Sequence, residues 1–241
     1  MTTLVLLHAF PLDAAMYDGV ASAFEGDLLT PNLPGFGGEA LVEGEPSLDA
    51  YAEGVARYLD AKGIERAVIG GTSMGGYTAM AFYRLFPERV AALALIDTKA
   101  SADAPEAAEG RRTMAQQMVD GQTTDPLVAN VLPNLLGATT FATRPDVVTT
   151  VEGWVQGADP AAAAWAQLAM AARPDSLQTL AKVSVPSLVV VGSEDVLSPP
   201  TDAAAMATVL PAAELVLIPT VGHLTPVEAP EEVTVALNDL M

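Results

Sequence analysis

Cysteine is absent from this chain, and that removes disulfides, a thiol nucleophile and thiolate metal sites at once. Histidine is scarce. His8 and His223 are the only two, so a metal centre built on several imidazoles is not expected. Basic residues are also few, 11 against 30 acidic ones, for a net charge of −19. A surface that acidic repels phosphate backbones and anionic lipid heads, so neither nucleic acid nor a membrane is an expected partner. No apolar run is long enough to span a bilayer. Met1-Thr2-Thr3 leads into a short aliphatic segment with no basic region and no cleavage site, which reads as a strand and not as a signal peptide. A cysteine-free chain of this kind fits the cytoplasm. No Ser/Gly-rich linker and no internal repeat divides the 241 residues. What the sequence has in quantity is apolar residues, 51% against 17% charged, the composition of a folded chain and not of a disordered one.

Those apolar residues fall into short aliphatic runs. Leu4 to Leu7, Ala67 to Gly71, Ala91 to Ile96, Ser187 to Val191 and Glu214 to Ile218 read as buried strands, with a weaker one at Asp27 to Thr30. Helical segments are expected at Ala14 to Phe24, Ser47 to Ala61 with Ser47 as N-cap, Tyr77 to Phe86, Thr201 to Val209 and Val227 to Leu240. Strands alternating with helices predict an α/β fold with a mainly parallel sheet of about six strands and helices on both faces. The alternation lapses between Thr98 and Ala172. Helix-like pieces lie there near Ala107 to Val119, Thr124 to Leu132, Asp146 to Gln156 and Ala161 to Ala171. The expected organisation is a core of residues 1–97 and 173–241 with a helical cap, residues 98–172, as an insertion. Such a cap would sit over the sheet's C-terminal edge, where ligands bind in open α/β sheets.

One motif carries chemistry. Gly71-Thr72-Ser73-Met74-Gly75-Gly76 follows the strand Ala67 to Gly70 and opens a helix. A G-x-S-x-G turn between strand and helix is a nucleophile elbow, which forces a serine hydroxyl out to meet a base and a substrate. The serine takes a strained backbone, and Gly71 and Gly75 remove side chains that would clash with it. Gly76 lets the helix pack close to the sheet.

An activated serine needs a base, a group to orient that base, and donors for an oxyanion. His223, in Val221-Gly222-His223-Leu224 after the strand ending near Ile218, is the expected base. His8 is its one competitor, and its place before Phe10-Pro11 suits a structural role in the loop better. Asp195, just beyond the strand Ser187 to Val191, is the preferred acid and gives the chain order Ser, Asp, His. Asp97 also follows a strand end and stays open as the acid, and Glu194 is adjacent but should point elsewhere. The oxyanion donors are expected to be the backbone N–H groups of Met74 and Phe10.

Further segments share this pattern. They are His8-Ala9-Phe10-Pro11, Asn32-Leu33-Pro34-Gly35-Phe36-Gly37, Pro87-Glu88-Arg89-Val90, Gly192 to Asp195, and Gly222-His223. With the elbow, they resemble the α/β-hydrolases of the small esterase, lactonase and cofactor-free haloperoxidase group over nearly the full length. The resemblance implies hydrolysis of a small, largely apolar carboxylic ester or lactone through an acyl-enzyme. The same triad could serve acyl transfer, perhydrolysis or carbon–carbon bond hydrolysis, and some relatives act mainly as ligand receptors. The serine separates this chain from dehalogenase and epoxide-hydrolase relatives with aspartate, and from dienelactone-hydrolase relatives with cysteine. Ala9 stands where glycine is commoner, and Asn32 where aspartate is usual. With three residues ahead of Leu4, about six strands are expected and not eight.

Within the insertion, Met114, Met118, Leu135, Phe141, Trp154 and Trp165 are candidates to line the substrate pocket. An anionic substrate would want a fixed cation, for which Arg111, Arg112, Arg144 and Arg173 are available and unranked, so an enol-lactonase acting on a carboxylated lactone, or a diketone hydrolase, stays open as an alternative. No nucleotide, flavin or metal cofactor is expected. The glycines at 35–38 follow prolines and do not open a helix after a strand, so they make no dinucleotide fingerprint.

Overall fold

Short runs of Leu, Val and Ile with no polar interruption can only be satisfied by burial on both sides. The computed structural model, which describes residues 2–241, places them in that way. Six strands, β1 (Leu4–Leu7), β2 (Leu28–Leu29), β3 (Ala67–Thr72), β4 (Val90–Ile96), β5 (Ser187–Gly192) and β6 (Ala213–Ile218), form one sheet in the order β2-β1-β3-β4-β5-β6. Every neighbouring pair is parallel. β1, β3 and β5 are buried along their whole length, whereas β6, at the edge, exposes Leu215 and Leu217.

The helices of the core are α1 (Asp18–Ala23), α2 (Leu48–Ala61) and α3 (Met74–Leu85). Between β4 and β5 come α4 (Pro105–Gly121), α5 (Asp125–Asn130), α6 (Ala138–Thr143), α7 (Pro145–Gly157), α8 (Pro160–Ala171) and α9 (Leu177–Leu180). The chain closes with α10 (Pro200–Val209), α11 (Thr225–Glu228) and α12 (Pro230–Leu240). α1 packs on α12, and α2 on α3, to cover the sheet. α4 packs along α8, and most of their buried apolar residues, among them Ala115, Met118, Ala166 and Met170, belong to the same cluster as the strands. Among the described residues no helix is long and apolar enough to cross a membrane.

Local chemistry explains several helix starts. Ser47 caps α2 by accepting from the Ala50 N–H at 3.1 Å, as its sequence predicts. Proline opens α4, α7, α8, α10 and α12, where a missing N–H breaks no helical bond. Three expectations differ. The helix predicted over Ala14 to Phe24 is a 3₁₀ turn, Ala14–Tyr17, followed by the short α1. The closing helix predicted from Val227 is split, because Pro230 cannot supply an N–H to a continuous helix and restricts Ala229 before it. The helix after the elbow begins at Met74 and not at Tyr77. Its first turn needs no N–H partner within the helix, so Gly75 and Gly76 do not delay it.

The strand order fixes where a site can form. Chain order reverses between β1 and β3, which pair in register from Leu4 with Val68 to Leu7 with Gly71. The loops leaving these two strands therefore diverge and open a crevice at the sheet's C-terminal edge. Ser73 and Phe10 lie at that edge. The crossing of α3 over β1 is close. A Cβ on Gly75 would stand 1.9 Å from the Leu7 carbonyl oxygen, and one on Gly71 would stand 2.3 Å from the Gly75 carbonyl carbon. Both obstacles are backbone, so neither can swing aside. Gly75→Ala is expected to lower stability by roughly 3 kcal/mol or more, read as a reduced urea midpoint. An unchanged midpoint would mean that α3 is free to lift off β1.

Candidate active site

Ser73 is the single residue between β3 and α3, and its backbone sits at φ 55° and ψ −112°. A non-glycine residue there costs about 1–3 kcal/mol, so the surroundings must over-determine it. They do. The Ser73 N–H donates to the Ile96 carbonyl at 3.0 Å, and the Ser73 carbonyl accepts from the Tyr77 N–H at 3.1 Å and the Thr98 hydroxyl at 2.9 Å. One residue earlier, the buried Tyr17 hydroxyl accepts from the Thr72 N–H at 3.1 Å and donates to the Leu7 carbonyl at 2.8 Å. The ends of β1 and β3 are thereby pinned together.

Three side chains distant in sequence meet here. The Ser73 Oγ lies 2.8 Å from His223 Nε2, and His223 Nδ1 lies 2.8 Å from Asp195 Oδ2. Asp195 is saturated with donors. Its Oδ1 accepts from the N–H groups of Leu197 at 2.8 Å and Ser198 at 3.0 Å, and its Oδ2 from the Ser198 hydroxyl at 2.8 Å. Burial alone would raise the Asp195 carboxyl, but the His223 charge and these bonds outweigh it and hold the group below the ordinary carboxylate range. Burial alone would depress the His223 imidazole. The Asp195 charge and hydrogen bond, then Asp97 and Glu228, outweigh it and raise the imidazole above its usual value.

The other sequence candidates have separate duties. Asp97 accepts from the Gly192 N–H at 3.2 Å and from the Thr225 N–H and hydroxyl at 2.8 Å each, so it braces the loop after His223 without touching the ring. Burial, then the nearby Asp195 charge, pushes its carboxyl up to about 7 against the pull of His223 and Thr225. Glu194 turns away, accepting from the Thr139 N–H at 2.8 Å and hydroxyl at 2.6 Å. Glu228 accepts from the Gly222 and Gly137 N–H groups, both at 2.9 Å, and from the Thr140 hydroxyl at 2.5 Å.

His8 is fully buried in the loop after β1. Its Nε2 accepts from the Leu33 N–H at 3.0 Å, and its Nδ1 faces the Ala9 carbonyl at 3.0 Å, which requires a neutral ring with the proton on Nδ1. Ala9 does not take positive φ, so replacing the commoner glycine introduces no strain. Asn32 accepts from the Ala14 N–H at 2.8 Å and donates to the Gly37 carbonyl at 3.2 Å. An aspartate could not make the second bond. The N–H groups of Phe10 and Met74 have no protein acceptor among the described residues.

A cavity of about 320 Å³ opens above Ser73 and His223. Of the pocket residues expected from the sequence, Met114 and Leu135 line it. Met118, one turn further along α4, is sealed in the core, and Phe141 is 37% exposed on α6. Trp154 lines a different cavity beside Phe36. Trp165 packs on Tyr51 with ring centres 4.8 Å apart. Residues missed from sequence include Tyr77, Lys99, Gln167 and Met170. Tyr77 was within reach, since it lies one helical turn after Ser73 and so shares its face. Lys99, just past the end of β4, had the same strand-end address as Asp97.

The family model for the alpha/beta hydrolase fold matches residues 2–230, and the chain belongs to that family. It is 32% identical over 239 residues to the dihydrolipoyllysine-residue acetyltransferase component of the acetoin cleaving system of Pseudomonas putida, covering 96% of this chain but only 61% of that protein. The chain thus spans less than two thirds of that relative's length. It is 29% identical over 250 residues to the pimeloyl-(acyl-carrier protein) methyl ester esterase of Aromatoleum aromaticum, covering 99% of this chain and 97% of that one. Among solved structures, a thermophilic esterase from Thermogutta terrifontis with malate bound superposes with a TM-score of 0.95 at 37% identity, covering 99% of this chain and 89% of that one.

The buried His8 has a consequence for stability. Burial pushes its imidazole down to about 4, only partly offset by the Ala9 carbonyl and the Asp13 charge. Between pH about 6.5 and 4 the unfolded chain takes up a proton that the folded chain refuses. The contribution of a neutral His8 is therefore present above the higher value and lost as pH falls towards the lower. Taken from pH 7 to pH 4, wild type is expected to lose on the order of 3 kcal/mol relative to His8→Asn. Urea titrations of both proteins at each pH measure this, and a difference that does not vary with pH contradicts a neutral ring.

Proposed function

We propose that this protein is a serine hydrolase acting on a small carboxylic ester or lactone. The observation that carries the reading is the unbroken chain of hydrogen bonds from Ser73 through His223 to Asp195, 2.8 Å at each step. Ser73 Oγ attacks the carbonyl carbon while His223 Nε2 takes its proton. Asp195 holds the ring and offsets the charge it gains. The N–H groups of Phe10 and Met74, free of protein acceptors, stabilise the oxyanion. The tetrahedral intermediate collapses, His223 gives the proton to the departing alkoxide, and an acyl-enzyme remains. Water then attacks this ester with His223 again as base, and the acid leaves as Ser73 regains its proton.

Residues 98–172 act as the lid over a core of residues 1–97 and 173–241. Met114, Leu135 and Met170 give the cavity an apolar wall. At about 320 Å³ it lies at the small end of the range of ligand pockets, roughly 300 to 1,000 Å³, which supports a small substrate. Relatives named as esterases support an ester in particular. Transfer of the acyl group to an alcohol in place of water is the second reading, favoured by the acetyltransferase name of the Pseudomonas relative. Adding an alcohol during turnover and measuring the new ester against the free acid separates the two.

Ser73→Ala is expected to lower kcat for a p-nitrophenyl ester by at least about 10⁴-fold while leaving the circular dichroism spectrum intact. Labelling by a fluorophosphonate should vanish with it. In wild type, kcat/KM should fall as pH drops through the raised His223 value, above the ordinary histidine value of about 6.5. Near-normal turnover in the alanine variant, or a rate flat from pH 5 to 8, would defeat the assignment.

A further inference from the structure

Charge is distributed unevenly around the cavity above Ser73. The chain carries 30 acidic and 11 basic residues, yet Asp103 is the one carboxylate in the cavity wall, beside the cations Lys99 and Arg111. Asp103 is already shared. Its Oδ2 accepts from Arg111 Nε at 2.6 Å and its Oδ1 from Arg173 Nη2 at 2.8 Å. Arg173 itself is buried and stacks on Tyr77, its guanidinium carbon 4.2 Å from the ring centre. Two arginines thus share one carboxylate, and Lys99, which borders both this cavity and the neighbouring one beside Tyr77 and Arg173, adds a third cation, so the region is positive inside a strongly negative protein. Asp195 and Asp97 stand behind His223 and do not reach the cavity wall.

Three donors in this cluster have no acceptor among the described residues: Arg173 Nε, which is sealed from solvent, and two on residues that border the cavity. Arg111 spends Nε on Asp103 and Nη1 on Gln167 Oε1, at 2.8 Å, while its Nη2 has no protein partner among the described residues. Lys99 Nζ has neither a hydrogen bond nor an ion pair there. The side chain of Arg111 is only 24% exposed, and Lys99 is half-buried. Partly desolvated cationic donors left without acceptors are unfavourable, so the cavity has a standing preference for an anion. Arg111 is also immobilised by Asp103 and Gln167, which lowers the ordering cost of one more bond from Nη2. The remaining cations suspected from the sequence are engaged elsewhere. Arg112 pairs with Glu109 at the surface, and Arg144 donates to the Glu228 carbonyl.

We infer that the substrate carries a carboxylate, which pairs with Lys99 and Arg111 while its ester or lactone carbonyl meets Ser73. The chemical class is a half-ester of a short dicarboxylic acid, or a lactone bearing a carboxylate. This rests on the hydrolase reading above and narrows it from a largely apolar substrate to one with a charged end.

The test compares monomethyl glutarate with methyl pentanoate, esters of similar length that differ in the terminal carboxylate. Wild type is expected to favour the half-ester in kcat/KM by roughly ten-fold or more. Lys99→Met and Arg111→Met should each reduce that preference by roughly ten- to a hundred-fold, the range of one charge-assisted hydrogen bond. Arg112→Gln, at the surface, should leave the preference as in wild type. Arg111 also ties the lid together, so Lys99→Met, which breaks no bond within the protein, is the deciding variant. Equal preference in wild type and Lys99→Met, or no preference in wild type, overturns the inference while turnover of both esters leaves the hydrolase reading intact. If neither ester nor the p-nitrophenyl ester is cleaved above the Ser73→Ala background, the hydrolase reading fails instead. Calorimetric binding of glutarate to the Ser73→Ala protein then decides the anion site alone: binding that Lys99→Met abolishes sustains it, and no binding overturns it.

Discussion

The whole arrangement depends on holding one residue, Ser73, in a backbone conformation it would not choose. The left-handed φ at this position lifts the hydroxyl off the end of β3 and points it at His223. Everything that fixes it is backbone or deeply buried. Ile96 and Thr98 grip its peptide groups, Tyr17 ties the neighbouring Thr72 to β1, and α3 lies against Leu7 too closely for any side chain at Gly75. The strain is thus spread into the centre of the parallel sheet, where the strands are buried along their length and cannot give way locally.

Around the imidazole the controlling interaction is electrostatic. Three carboxylates surround His223 at different ranks. Asp195 touches it, and Asp97 and Glu228 act through their fields. Asp195 keeps its charge because backbone and hydroxyl donors replace the water it has lost. Asp97, fully buried and with Asp195 as a like-charged neighbour, is driven the other way. The ring therefore sits where an incoming proton is favoured before any substrate arrives. In the proposed reaction such preorganisation would need no rearrangement when the proton moves.

The elements that could be read from the residues alone are those whose determinants are local. A glycine–serine turn between an aliphatic strand and a helix, and an aspartate and a histidine each just past a strand, are short-range patterns, and the geometry brings these three side chains together. Parallel strands with continuous apolar runs were equally legible. The lid was not. Its helices are visible by period, but which side of each helix faces the cavity depends on how α4 and α8 pack, and nothing within either helix encodes that. Met114 faces the cavity and Met118, one turn on, does not; Trp154 and Trp165 serve other contacts. α6 escaped notice entirely. Its six threonine-rich residues have little helical preference, and the groups that hold its start come from Glu194 and Glu228, far along the chain.

Those two glutamates link parts that sequence order keeps separate. Glu194 adjoins Asp195 on the loop after β5, Glu228 closes α11 just beyond His223, and both accept from the Gly137–Thr140 stretch where α6 begins. The foot of the insertion and the two loops bearing the acid and the imidazole are one welded joint. Exchange of the helices between β4 and β5 for another set, during divergence or by recombination, therefore cannot be cut at their sequence boundaries. A transplanted segment has to bring matching donors for both carboxylates, or the loops that bear Asp195 and His223 lose their footing.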